Sequence, residues 1–174
     1  MEINLIVAMD EKRCIGKNNQ LPFKQNHDIM KFKMTTMGHI VIMGRKTFDS
    51  MGNKTLKGRM NYVISKKATK LSQKYFENQN VQFFHTPKAC KEFIHEMYSN
   101  TEQKIFIIGG ESIYTQFLHL AHRIYTTEIH TTIENGDTFF PEIPEEFEME
   151  NLDGVHPMDG SNEFNYCFVD YVRK

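Results

Sequence analysis

Ile40-Val41-Ile42-Met43-Gly44-Arg45-Lys46-Thr47-Phe48 reads as a buried strand, a turn and the opening of a helix. The first four residues are apolar and three are β-branched, which suits a strand covered on both faces. Gly44 permits a tight turn, and Thr47, Phe48 and Met51 begin a helical pattern that stops at Gly52. That helix starts with two cations, Arg45 and Lys46, which oppose the positive end of its dipole. An anion such as a phosphate, held by the free first-turn N–H groups, resolves the conflict. A plain strand–helix junction with two solvated cations fits the same residues.

The pattern recurs at Ile105-Phe106-Ile107-Ile108-Gly109-Gly110, an apolar run that ends in glycine and feeds a helix. Ser112 is the expected N-cap there, with Ile113, Phe117 and Leu118 inward. Further strands are expected at Ile3 to Met9, Met60 to Ser65, Val81 to Phe84, Arg123 to Thr132 and Phe164 to Val172. Helices are expected at Asp28 to Met37 and, with Thr86-Pro87 as the start signal, through Met97. Ala68 to Asn80 is only weakly periodic. The connection from Asp10 to Gln20 is long and carries Ile15-Gly16, so it reads as a lid. Alternation of strands and helices predicts an α/β fold: a doubly wound, mostly parallel sheet with helices on both faces. The last two strands have no helix between them, which predicts an antiparallel C-terminal edge strand. A single domain over residues 1–174 is expected.

The 174 residues carry a formal net charge of −1 with no block of like charge, which argues against a nucleic-acid coat or a membrane anchor. Cys14, Cys90 and Cys167 are odd in number and scattered. They fit neither a disulfide framework nor a zinc site, and point to a reducing, cytoplasmic setting. The eight histidines have no metal-ligand spacing. Glu145 and Glu146 read as solvated acids.

Ligands of open α/β sheets sit outside the carboxyl ends of the strands. Met9, Met43, Ser65 and Gly109 all stand at such ends, and two of these ends feed helices after glycine. Two anion sites suit a dinucleotide, although neither a Gly-x-Gly-x-x-Gly run nor a P-loop is present. Arg45, Lys46, Ser65 and Lys66 suit an additional phosphate monoester, such as the ribose phosphate of NADP. Asp28 is an acid on a mostly apolar helix face, spaced i,i+4 with Phe32. A buried carboxylate there suits a protonated or amino-bearing heterocycle, and a surface N-cap is the plain alternative.

The order and spacing of these pieces resemble the bacterial-type dihydrofolate reductases over essentially the whole chain. The matching segments are Ile15-Gly16 through Leu21-Pro22-Phe23, Asp28 with Phe32-Lys33, Val41 to Phe48, Gly58-Arg59-Met60-Asn61, Ile107 to Gly110 with Ile113-Tyr114, and Gly136 to Pro141. The resemblance implies NADPH-dependent reduction of dihydrofolate to tetrahydrofolate, which feeds one-carbon metabolism, by a monomer that antifolates inhibit. It assigns catalysis to Asp28, Leu21 and Thr127. Substrate is assigned to Ile6, Val7, Ala8, Asp28, Ile29, Phe32, Met51, Leu56, Arg59, Ile108, Tyr114 and Thr127, with Arg59 pairing the glutamate carboxylate of folate. NADPH is assigned to Val7, Ala8, Ile15, Gly16, Asn19, Gly44, Arg45, Lys46, Thr47, Ser65, Lys66, Ile108, Gly109, Gly110, Glu111, Ser112, Ile113, Tyr114 and Thr138. It further implies a cis Gly109–Gly110 peptide. With no metal-ligand spacing among the histidines, no metal is expected.

Three segments depart from the family pattern. Phe23 replaces a usual Trp, Gln25-Asn26 replaces Leu-Pro, and Lys54-Thr55-Leu56-Lys57 replaces a proline-rich stretch, which predicts a looser loop there. Two other functions share the residues. One is a same-fold reductase of another pterin- or flavin-pathway intermediate, for which Arg59 has no purpose. The other is a folate- or antifolate-binding protein without turnover.

Overall fold

Residue alternation along the first strand, β1 (Glu2–Asp10), divides the interior. Ile3, Leu5, Val7 and Met9 enter one apolar cluster, while Ile6 enters another on the opposite face. A strand covered on both sides belongs in the middle of a wound sheet. The structure, a computed structural model describing all of residues 1–174, places it there.

The chain continues through β2 (Cys14–Gly16), α1 (Asn26–Thr36), β3 (Ile40–Gly44), α2 (Arg45–Ser50), β4 (Met60–Ile64), α3 (Ala68–Lys74) and β5 (Val81–Phe84). Next come α4 (Pro87–Tyr98), β6 (Lys104–Ile107), α5 (Glu111–Phe117), β7 (Arg123–Ile129), β8 (Thr138–Phe139), β9 (Phe147–Leu152) and β10 (Tyr166–Arg173). Eight strands form one sheet in the order β5-β4-β3-β6-β1-β7-β10-β9. From β5 to β7 all neighbours are parallel. β10 runs antiparallel to β7, as the missing helix predicts, and β9 antiparallel to β10.

Helices cover both faces. Cys90 and Ile94 of α4 and Ile113, Tyr114 and Phe117 of α5 join the cluster that holds Leu5. Phe48 of α2 and Ala68 of α3 join the one that holds Ile6. Helix α4 starts as expected: the Thr86 hydroxyl accepts from the Ala89 N–H at 3.1 Å, with Pro87 first in the helix. The outer edge beyond β10 is β9, a strand not anticipated, with only Phe147 buried. Helix α5 is capped by Gly110 rather than Ser112, whose hydroxyl accepts instead from the Gln116 amide at 3.1 Å.

The lid is tied at its root by Asp10, whose carboxylate accepts from the N–H groups of Lys12 (2.8 Å), Cys14 (2.7 Å) and Ile133 (2.7 Å). Its base, β2, pairs with β8. A Cβ on Gly136 would stand 2.3 Å from the Cys14 sulfur, so glycine is required at this joint.

Candidate active site

The carboxyl ends of β1, β3, β4 and β6 open on one cleft of about 1440 Å³, larger than the ~300–1000 Å³ of a common small-molecule pocket. It falls where the chain, after β1, crosses to β3 and leaves β6 to fill the gap, the switch point where such sheets bind ligands.

At one end of the cleft, Gly44 leads into α2 and Gly110 into α5, and neither helix start has a side-chain cap. Their first N–H groups therefore lack the side-chain acceptor that usually satisfies them. Gly44, Arg45, Lys46, Thr47, Gly109, Gly110, Glu111, Ser112, Ile113 and Tyr114 all line this end, together with Ser65 and Lys66 from the end of β4. The Gly109–Gly110 peptide is cis, and the Gly44 N–H donates to the Gly109 carbonyl at 2.8 Å. A Cβ on Gly109 would meet the Tyr114 ring at 3.1 Å, and one on Gly44 would meet Ile113 at 3.1 Å. Arg45 leans on Asp49 one turn along, and Lys46 is exposed.

At the other end stands Asp28, in the first turn of α1 rather than at its cap. Burial pushes its carboxyl above the usual carboxylate range, opposed by the Thr127 hydroxyl and by the charges of Lys31 and His27. Thr127 lies in β7, 99 residues away, and donates to Asp28 Oδ1 at 2.6 Å. Two other acids line the cleft. Asp137 is held below its ordinary range by the Asn18 N–H and the Thr138 hydroxyl, and Glu111 accepts from the Phe139 N–H at 3.2 Å. The Tyr114 hydroxyl donates to the Ile6 carbonyl at 2.8 Å, fixing the floor between the two ends.

Ile6, Val7, Ala8, Ile29, Phe32, Met51 and Ile108 line the cleft, as do Ile15, Gly16, Asn19, Leu21 and Thr138 of the lid and its partner strand. Ile29 is 54% exposed because it faces this opening and not the core. Three residues tied to substrate by the resemblance lie outside the lining. Thr127 sits behind Asp28. Leu56 packs on the apolar cluster beneath, with its N–H and carbonyl both bound by the Asn61 amide at 2.9 and 3.1 Å. Arg59 is 8% exposed, donating Nε to the Lys57 carbonyl and Nη1 to the Thr36 hydroxyl, both at 3.1 Å. Its guanidinium lies 5.9 Å from the Phe32 ring centre, and no protein carboxylate pairs with it.

The family model for dihydrofolate reductase matches residues 2–173. The chain belongs to the dihydrofolate reductase family. It is 35% identical to the dihydrofolate reductase of Staphylococcus haemolyticus over 173 residues, covering 99% of this chain and 96% of that one. It is also 35% identical to that of Haemophilus influenzae over 175 residues, with both chains fully covered. Among solved structures, a dihydrofolate reductase from Enterococcus faecalis complexed with NADP(H) and RAB-propyl superposes with a TM-score of 0.82. The two are 29% identical, covering 99% of this chain and 96% of that one.

Within that family frame, Phe23 is buried against Ile129, Tyr166 and Phe168, so it works as a core residue. Lys67, His85, Thr86 and Pro87 also reach the cleft, which sequence reasoning did not foresee. The available signal was Phe84-His85-Thr86-Pro87, a strand end running into a helix cap like the other two, but without glycine.

Proposed function

We propose that this chain reduces 7,8-dihydrofolate to 5,6,7,8-tetrahydrofolate with NADPH, as a monomeric, single-domain enzyme of the reducing cytoplasm. The observation that carries the reading is Asp28: a carboxyl raised by burial, steadied by Thr127, at the end of the cleft away from the cations. The two uncapped helix starts, the glycines Gly44 and Gly109 where a Cβ would crowd its neighbour, and the Arg45, Lys46, Ser65 and Lys66 group fit a phosphorylated dinucleotide. The three cysteines are free and buried, which supports the reducing compartment.

NADPH, when bound, supplies the hydride. The protein supplies position and a proton. Asp28 holds the pterin ring amide and amino group and favours a proton on the ring nitrogen beside the carbon that takes the hydride. Thr127 keeps the Asp28 carboxylate oriented. Ile6, Val7 and Ala8 present backbone and small side chains to the pterin, and Ile29, Phe32, Met51 and Leu56 pack the aminobenzoyl ring. Arg59 takes the glutamate carboxylate, and its lack of an internal anion supports this role. Ile15, Gly16, Asn19 and Leu21 close over the reacting faces and exclude water. The same cleft is where antifolates compete.

Mixing the protein with NADPH and dihydrofolate and following NADPH absorbance tests the reading. Steady loss that requires both compounds is expected. Tight binding of both without loss replaces the enzyme with a sequestering protein.

A further inference from the structure

Helix α1 carries Asp28, yet it lacks a local cap: the residue before it, Gln25, makes no capping hydrogen bond to the helix. An uncapped helix start leaves first-turn N–H groups unsatisfied. Here the partner comes from the far end of the chain. The His27 N–H donates to Asn162 Oδ1 at 3.0 Å, across 135 residues. Asn26 N–H donates to the Ser161 carbonyl at 3.2 Å. Gln25 pairs its whole amide with Phe164, donating to the carbonyl and accepting from the N–H, both at 3.0 Å.

Both side chains are enclosed, Asn162 being 6% exposed and Gln25 1%. Asn162 is itself held in place. Its N–H and its side-chain amide donate to Asp159 Oδ1 at 2.8 and 3.0 Å, and the Ser161 N–H donates to the same oxygen at 2.7 Å. The His27 ring meets the Tyr166 hydroxyl at 2.6 Å, fixing the turn from a second side. Asp28 is the next residue in the chain.

We propose that Asn162 is a positioning residue for the reaction: it caps α1 from across the fold and, with Gln25, holds the turn that aims Asp28 into the cleft. Gln25-Asn26 stands where the family pattern has Leu-Pro, so the amide clasp takes over the stiffening that proline gives through its fixed φ. The proposal rests on the assignment of Asp28 given above. Asn162 touches neither substrate nor cofactor in it. Asn162 brings no charge to Asp28, which feels the charges of Lys31 and His27 and is coupled to the Tyr114 hydroxyl, so its influence runs through geometry and solvent access.

The test compares Asn162→Ala and the shorter cap Asn162→Ser with the parent, with Asp28→Asn, and with Asn165→Ala. The last removes a bond from the Met158 N–H within the same loop and leaves α1 alone. Steady-state constants for both substrates and single-turnover hydride transfer are measured across pH. Asn162→Ala is expected to lower kcat/KM for dihydrofolate on the order of tenfold, within the ~10²-fold that a misplaced group at the site can cost. KM for NADPH stays put. Hydride transfer, which falls as pH rises and the shared proton is lost, falls at lower pH, because a loosened turn admits water to Asp28. Asn162→Ser lies between and carries the test should the alanine variant not fold, while Asn165→Ala matches the parent. If Asn162→Ala and Asn162→Ser match Asn165→Ala, or weaken both substrates alike with the pH dependence unmoved, the positioning role is wrong. If Asp28→Asn turns over like the parent, the assignment beneath it is wrong instead, and the proposal falls with it.

Discussion

The two ends of the cleft are built in opposite ways. The cation end is local. Gly44-Arg45-Lys46-Thr47 and Gly109-Gly110-Glu111-Ser112 are contiguous strand–helix junctions, so their groups arrive together whenever the two strands form. The acid end is assembled from distant pieces. Asp28 meets Thr127 across 99 residues, and the turn that carries it meets Asn162 and Phe164 across 135 and 139. A local site needs only backbone and exposed charge, and tolerates small movement. The acid end depends on burial, since burial is the largest influence on Asp28. Changes at the acid end should therefore alter the chemistry and its pH dependence, and changes at the cation end should alter only which cofactor is held.

Asp28→Asn is the severest break. Turnover near neutral pH should fall by about 10²- to 10⁴-fold, the usual worth of a positioned acid or base. Stability should move the other way. A carboxyl raised by burial holds its proton more tightly in the folded state. Its ionisation therefore costs stability progressively as pH rises from the ordinary carboxylate range through the raised value, and the cost is fully present above it. The Asn variant should melt higher than the parent at neutral pH, with the gain vanishing in acid. Equal melting temperatures at both pH values would show that Asp28 bears no buried charge.

The same contrast explains what could be read in the chain. Strand β3 and its junction follow from Ile40 to Phe48 directly, because apolar run, glycine and helix signal are adjacent. The lid's length and glycine signalled motion, but Asp10, its anchor, looked like any loop acid; three backbone N–H groups from two segments give it its purpose. Strand β9 stayed hidden because an outer edge strand needs few apolar residues, and Glu148 and Glu150 there are exposed. Asn162 carried no signal at all. Its neighbours along the chain are polar and exposed, and its importance appears only when β10 brings the loop against α1.

At the cation end, the double variant Arg45→Ala, Lys46→Ala should lower kcat/KM for NADPH by about 10- to 100-fold, the worth of one to two charge-assisted bonds. NADH, which lacks the extra phosphate, should be used as before. The loss should shrink with added salt, since both side chains reach solvent. Kinetics with the two cofactors at two ionic strengths decide it. An equal loss for both would mean that these cations brace the junction and do not read the phosphate.

Thr127→Val is the finest cut and the one that separates the forces on Asp28. Valine keeps the shape and suits the strand, so only the hydroxyl is lost. Asp28 Oδ1 then loses its donor, and the bond that opposed the effect of burial is gone. Turnover at neutral pH should drop only a few-fold, and stability by about 1 kcal/mol. The carboxyl should titrate higher still, so hydride transfer should persist to higher pH than in the parent. Asn162→Ala moves the same profile down by admitting water; Thr127→Val moves it up by removing a stabiliser of the anion. Opposite shifts would show that burial and the Thr127 hydroxyl act on one charge from opposite sides. Shifts in the same direction would mean that the pH dependence belongs to a group other than Asp28, and the acid end would have to be rebuilt around it.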